Sequence, residues 1–197
     1  MILHPQDIWS YDRYQQQRQD VKATMMALKQ QRRLGVGPYA MVYFENRATM
    51  WYQIQEMLHI EKGGEAQLQD ELAAYNPLIP QGSDLRATMM LEVPDPTLRH
   101  QLLHQWAGIE HTFTLRWGEH TFSTAVPLEE ESRTTPEGKT SAVHFLRWDF
   151  SPESRDALRK ALEDHTLPLS MAVTHPLYNH QVNLGAALRQ ALVKDVS

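Results

Sequence analysis

The hydrophobic period of this chain changes near Gly82, and that change limits the architectures open to it. Before it, apolar side chains recur three, four and seven residues apart, the spacing of a helix face. After it, most apolar runs are short and alternate as strands do, with helices set between them. This order predicts the α+β class: an N-terminal helical half packed on an antiparallel-rich sheet with interspersed helices. The regular strand–helix alternation of a doubly wound sheet is missing. A length of 197 residues suits a single domain over 1–197, helix-rich over 1–82 and strand-rich over 83–197.

Local punctuation divides the chain further. Ser10 is placed to cap a helix over 11–33, in which Tyr14, Val21, Met25 and Leu28 share a face. Gly35 stops it, and 36–44 reads as a strand interrupted by Gly37-Pro38. Asn46 caps a helix over 47–61, Gly63-Gly64 breaks it, and a short helix covers 65–75. In the second half, strands are predicted over 85–93, 111–116, 120–126, 141–150 and 167–174, with a short one at Val182 and Leu184. Helices start at Pro94-Asp95-Pro96 and Ser151-Pro152-Glu153, and a last one covers 185–194. The charged stretch 129–139 reads as a mobile loop.

Composition removes several chemistries. With no cysteine, disulfides, thiolate nucleophiles, sulfur-ligated zinc and the usual iron–sulfur ligands are all excluded. A net charge of −5 argues against nucleic acid as a partner. Lys29, Arg32 and Arg33 form the one basic group of note, and they suit the negative end of the first helix. The early residues turn polar at once and no apolar run approaches membrane-spanning length. A cytoplasmic protein without membrane contact is the expectation.

The polar residues of the second helix stand out. On a helical wheel Arg47 shares a stripe with Met50, Trp51, Ile54, Met57 and Leu58, and it sits in the first turn where the dipole disfavours a cation. Such a residue needs a partner. Glu45 supplies one if the pair is structural; an anionic ligand supplies one if the arginine is functional. The opposite face carries Tyr52, Glu56 and His59, either a solvated face or half of a di-iron Glu-x-x-His site, for which the sequence has no second copy. His100 and His104, His111 and His120, His144 and His175 are read first as hydrogen-bonded structural histidines and second as ligands. In the strand 141–150, His144, Leu146 and Trp148 share one face and Val143, Phe145 and Arg147 the other.

Six stretches together resemble a bacterial family known as domain of unknown function 3501. They are Gly35-Val36-Gly37-Pro38, Phe44-Glu45-Asn46-Arg47, Trp51-Tyr52-Gln53-Ile54-Gln55-Glu56-Met57, Tyr75-Asn76-Pro77-Leu78-Ile79-Pro80, Ser141-Ala142-Val143-His144-Phe145-Leu146-Arg147 and His175-Pro176-Leu177-Tyr178. His59 stands where the family pattern has arginine, which weakens the di-iron reading. The resemblance implies a role beside rubrerythrin-like and iron–sulfur redox proteins and brings no established activity, and it leaves the cofactor open.

The candidate ligand-binding set is Glu45, Arg47, Gln53, Glu56, His144, Arg147 and His175. Three functions are open to it. The first is an accessory protein that binds a redox partner or a small anionic ligand. The second is a metal-dependent enzyme with Glu45, Glu56, His144 and His175 as ligands. The third is a homodimeric scaffold using Trp51, Trp106, Trp117 and Trp148.

Overall fold

The computed structural model describes residues 2–129, 133–164, 166 and 168–196. Six α-helices and two antiparallel sheets are seen among them, and the fold is α+β as expected. None of the helices is long and apolar enough to cross a membrane.

Helix α1 (Tyr11–Gln31) starts at its Ser10 cap and ends two residues before the predicted 33. The backbone leaves the helix at Arg32 because that side chain is drawn inward. Its guanidinium donates to the carbonyls of Phe44 (2.8 Å), Glu45 (3.1 Å) and Ala191 (3.2 Å) and pairs with Asp195. Arg32 is therefore a buried clamp, not a solvated cation on the helix dipole. Arg33 opens strand β1 (Arg33–Val36), and β2 (Ala40–Phe44) pairs back on it. The predicted single strand over 36–44 is thus a hairpin, turned at Gly37, whose φ of +71° suits glycine alone at little cost.

Asn46 caps α2 (Arg47–Glu61) through reciprocal bonds with Thr49, each 2.9 Å long. After the glycine break comes α3 (Gly64–Tyr75), then β3 (Asp84–Leu91), α4 (Pro96–Gln105) and the hairpin of β4 (Phe113–Trp117) with β5 (His120–Thr124). A two-residue strand β6 (Val126–Pro127) precedes β7 (Val143–Asp149). The predicted loop 129–139 lies outside the described residues at 130–132, as does the predicted strand start at Leu167. The chain ends with α5 (Pro152–Glu163), β8 (Leu169–His175), β9 (Tyr178–Asn183) and α6 (Ala186–Val193). Strand β9 is longer than the expected pair of apolar residues, because its polar side chains sit on a sheet edge that water reaches.

The first sheet runs β1-β2-β3-β7-β6 and the second β5-β4-β8-β9. Register decides which residues meet. Val42, Met89 and His144 form one cross-strand row and Phe44, Ala87 and Leu146 the next, all buried. This face joins side chains of the second sheet and of α4, α5 and α6 in the main apolar cluster. Trp148 crosses between the sheets, its indole N–H donating to the Phe113 carbonyl at 3.0 Å. The opposite face of the first sheet carries the rows Met41, Met90, Val143 and Tyr43, Thr88, Phe145. Over it lie α2 and α3 with a second cluster of Leu3, Met50, Ile54, Leu72, Leu78 and Ile79, against which Phe145 packs. Each such buried aliphatic side chain contributes about 1.5–3 kcal/mol relative to exposure.

Candidate functional site

The second face does not close completely. Between it and the helices lies a cavity of about 340 Å³, within the usual range for small-ligand sites. Sheet residues Tyr43, Thr88, Met90, Val143 and Phe145 form its floor. Thr49, Met50 and Gln53 of α2, with Tyr75 at the end of α3 and Leu78 just beyond it, form the roof, and Lys29 and Arg32 of the α1 end form one side. Glu45 enters from the end of β2.

Glu45 is the notable group. It is 7% exposed. The Thr88 hydroxyl donates to Oε1 at 2.8 Å, the one hydrogen bond its carboxylate receives among the described residues. Neither neighbouring cation serves it. Arg32 spends its guanidinium on backbone carbonyls and Asp195, and the Lys29 ammonium lies 5.3 Å from the Tyr52 ring centroid.

Of the seven candidate residues, Glu45 and Gln53 line this cavity. The expected Glu45–Arg47 pair is corrected. Arg47 is 45% exposed and bonds Asp7 at 2.8 Å, because the N-terminal segment folds back over the start of α2. A guanidinium in that position is not aimed at a buried anion.

Glu56 is not on a solvated face either. The Tyr14 hydroxyl donates to it at 2.6 Å, and Arg18 holds both its oxygens at 2.9 and 2.8 Å, locking α1 to α2. Arg18 is the main reason its carboxyl is pushed down to about 2, with Tyr14 assisting against the opposing effect of burial. Burial raises the Tyr14 phenol well above its ordinary value, and the Glu56 charge adds to that.

His144 lies on the other side of the sheet, with Nε2 2.9 Å from the Ser141 carbonyl and 3.1 Å from the Thr140 hydroxyl. Burial lowers its pKa, so the neutral ring is favoured. Arg147 bonds Asp149 at 2.9 Å at the sheet end. His175 closes the β8–β9 turn, accepting from the Leu177 N–H at Nδ1 (3.2 Å) and facing the Ala107 carbonyl at Nε2 (3.3 Å). Both its ring nitrogens are occupied by protein.

The four proposed metal ligands thus occupy four separate places, and the described residues contain no group of three or more His, Asp or Glu fit to hold a metal ion. His100 and His104 lie with ring centroids 4.7 Å apart and planes tilted by 58° on the exposed side of α4. Of the four tryptophans assigned to a dimer face, Trp106 and Trp148 are spent in the core.

Sequence reasoning missed Thr88, Tyr43 and Lys29 as cavity residues. Strand alternation had grouped Val143 with Phe145, which was the available signal; the partners across the sheet depend on register, which the chain does not display locally.

The stretches that carry the resemblance now have a spatial meaning. Glu45, Gln53, Tyr75, Leu78, Val143 and Phe145 belong to four of the six and meet at the cavity. The remaining two meet at the Gly37 turn, where the Tyr178 hydroxyl accepts from the N–H groups of Tyr39 and Ala40, each at 2.9 Å, and donates to the Val36 carbonyl at 2.7 Å.

Comparison with known proteins agrees. A crystal structure of a novel protein of unknown function from Burkholderia pseudomallei is similar over 100% of both chains, with 34% identity and a TM-score of 0.88. No curated protein matches. The profile of the family described as "Protein of unknown function (DUF3501)" matches residues 2–196, and the chain belongs to that family.

Proposed function

We propose that this chain is a non-catalytic, cytoplasmic accessory protein that binds a small cationic ligand in the Glu45 cavity, working beside rubrerythrin-like and iron–sulfur redox proteins. The observation that carries the binding reading is the Glu45 carboxylate, buried beside a mainly apolar floor and roof, with neither Lys29 nor Arg32 of the side wall in an ion pair with it and a single hydroxyl donor among the described residues. A carboxylate in such surroundings is costly unless a cation or further donors meet it. The ligand class is therefore an alkylammonium or amidinium, its head on Glu45 and its apolar body against Met50, Leu78 and Phe145. This differs from the anionic ligand suggested by Arg47, whose guanidinium lies outside this cavity and pairs with Asp7. The redox setting is what the family resemblance implies.

Calorimetric titration with n-butylammonium and n-butanol tests the site. The amine is expected to bind in the millimolar range or better and to weaken about tenfold in Glu45→Gln, while the alcohol binds much more weakly. Equal binding of amine and alcohol, or an unchanged affinity in Glu45→Gln, rules out the assignment. Affinity capture from the native host tests the setting: a rubrerythrin-like or iron–sulfur protein is expected to co-purify, and its consistent absence removes that half of the proposal.

A further inference from the structure

A second cleft, of about 640 Å³, lies where the N-terminal segment crosses the far end of α2. Trp9, Tyr11 and Tyr14 form one wall, and Gln55 and His59 of α2 form the other. The rings are already ordered against one another. Tyr11 and His59 stack with centroids 5.2 Å apart and 12° between planes, and Tyr14 meets His59 edge-on at 5.9 Å. The Lys62 ammonium sits 5.2 Å from the Tyr11 ring centroid at the rim.

Two polar atoms in this aromatic setting have no partner from the protein. Gln55 is 2% exposed, and its Nε2 has no acceptor within reach among the described residues. His59 Nδ1 is buried without a partner as well. The two residues are four apart on α2, so they project from the same face into the same cleft. Their apolar neighbours are Ile8, Leu58 and Leu68, among which a leucine would pack with no polar cost. A buried amide donor left unpaired at a cleft wall calls for an acceptor from outside the chain. Glu56, the nearest carboxylate on the helix, does not fill that role, since Arg18 and Tyr14 engage it.

We infer that this cleft binds a small planar aromatic ring bearing a carboxylate or amide group. Its carbonyl oxygen accepts from Gln55 Nε2, its second heteroatom meets His59 Nδ1, and its ring lies among Trp9, Tyr11 and Tyr14. The amide of Gln55 can offer Nε2 only as a donor, which sets the need for an acceptor, a role a carbonyl or carboxylate oxygen fills. Flat walls favour a flat occupant through offset and edge-to-face contacts. Lys62 and Glu65 at the rim have opposite charge, so the charged and neutral forms of the ligand are separated by experiment.

Benzoate and benzamide serve as the probes, followed by ¹H–¹⁵N NMR of the Gln55 side-chain amide and the Trp9 indole N–H. At least one probe is expected to saturate below about 10 mM and to shift both signals. Gln55→Leu is expected to weaken it at least about tenfold while the melting temperature holds or rises. Gln55→Met is the second variant should leucine disturb the fold. Glu45→Gln, in the other cavity, is expected to leave the affinity unchanged. Failure of both probes to saturate, or undiminished binding in a folded Gln55 variant, overturns the inference. So does loss of binding in Glu45→Gln, which places the ligand elsewhere. None of these outcomes bears on whether amines bind at Glu45.

Discussion

Glu56 and Arg47 lie on one helix and were both read from the sequence as charged groups in need of explanation. Their fates differ because of what packs beside them. Arg47 meets Asp7 at the water boundary, where solvent screens the pair and leaves it little net stabilisation. Glu56 is drawn between two helices and its side chain is 16% exposed, so its carboxylate is worth far more to the fold. The linkage has a definite sign. The carboxyl falls from 4.5 to about 2 on folding, so its contribution is fully present above about pH 4.5 and is lost as pH falls through about 2. Glu56→Gln is expected to cost roughly 2 kcal/mol at pH 7, a figure already reduced for the 35% exposure of Arg18. Urea unfolding at a series of pH values checks this. The gap between wild type and variant should close as pH drops from 4.5 toward 2, and a gap that stays constant would contradict the argument.

At the level of elements, the β1–β2 turn shows how a short hairpin is held by a residue far along the chain. The turn exposes the N–H groups of Tyr39 and Ala40 and the carbonyl of Val36, and the Tyr178 hydroxyl at the head of β9 meets all three. Gly37 makes room for this: a Cβ there would come within 2.5 Å of the His180 ring and 2.8 Å of the Tyr178 oxygen. Tyr178→Phe keeps the ring packed on Trp106 but leaves those backbone groups unpaired, at an expected cost of about 2–4 kcal/mol. Chemical unfolding measures the loss, and amide exchange at Tyr39 and Ala40 should quicken while distant amides follow only the global change. The helix starts at Asn46, Asp95 and Ser151 were all legible, since each cap is made with a residue three positions on. The hairpin was read as one strand because its anchor is 142 residues away from Val36.

Across the whole molecule, the end of the first helix and the segment after the last helix are joined by Arg32 and Asp195. The pair is buried, and its arginine also holds the carbonyls at the end of β2 and one in α6, so the first helix, the first sheet and the last helix share one clasp. Removing one partner strands the other in a dry site. Asp195→Ala is expected to lose about 3–5 kcal/mol, with the double variant Arg32→Met/Asp195→Ala losing much less than the sum of the singles. Thermal or urea unfolding of the three variants forms the cycle, and simple additivity would show that the pair is not coupled. The clasp also bears on the Glu45 cavity, since Arg32 forms part of its side and bonds the Glu45 carbonyl.

The amino-acid sequence by itself determined the α+β class, the capped helix starts, the division of β7 side chains between two faces and the exclusion of thiol chemistry. These follow from residue types and from spacings within one or two turns of chain, where the backbone interacts with its own neighbours. Tertiary structure alone decided the partner of each buried charge, the strand order and the form of the Glu45 and Gln55 cavities. Glu56 finds Arg18 across 38 residues and Arg32 finds Asp195 across 163. An ion pair or a cavity forms between whichever surfaces packing brings together, and that choice rests on sheet register and helix docking, which no local run of residues encodes.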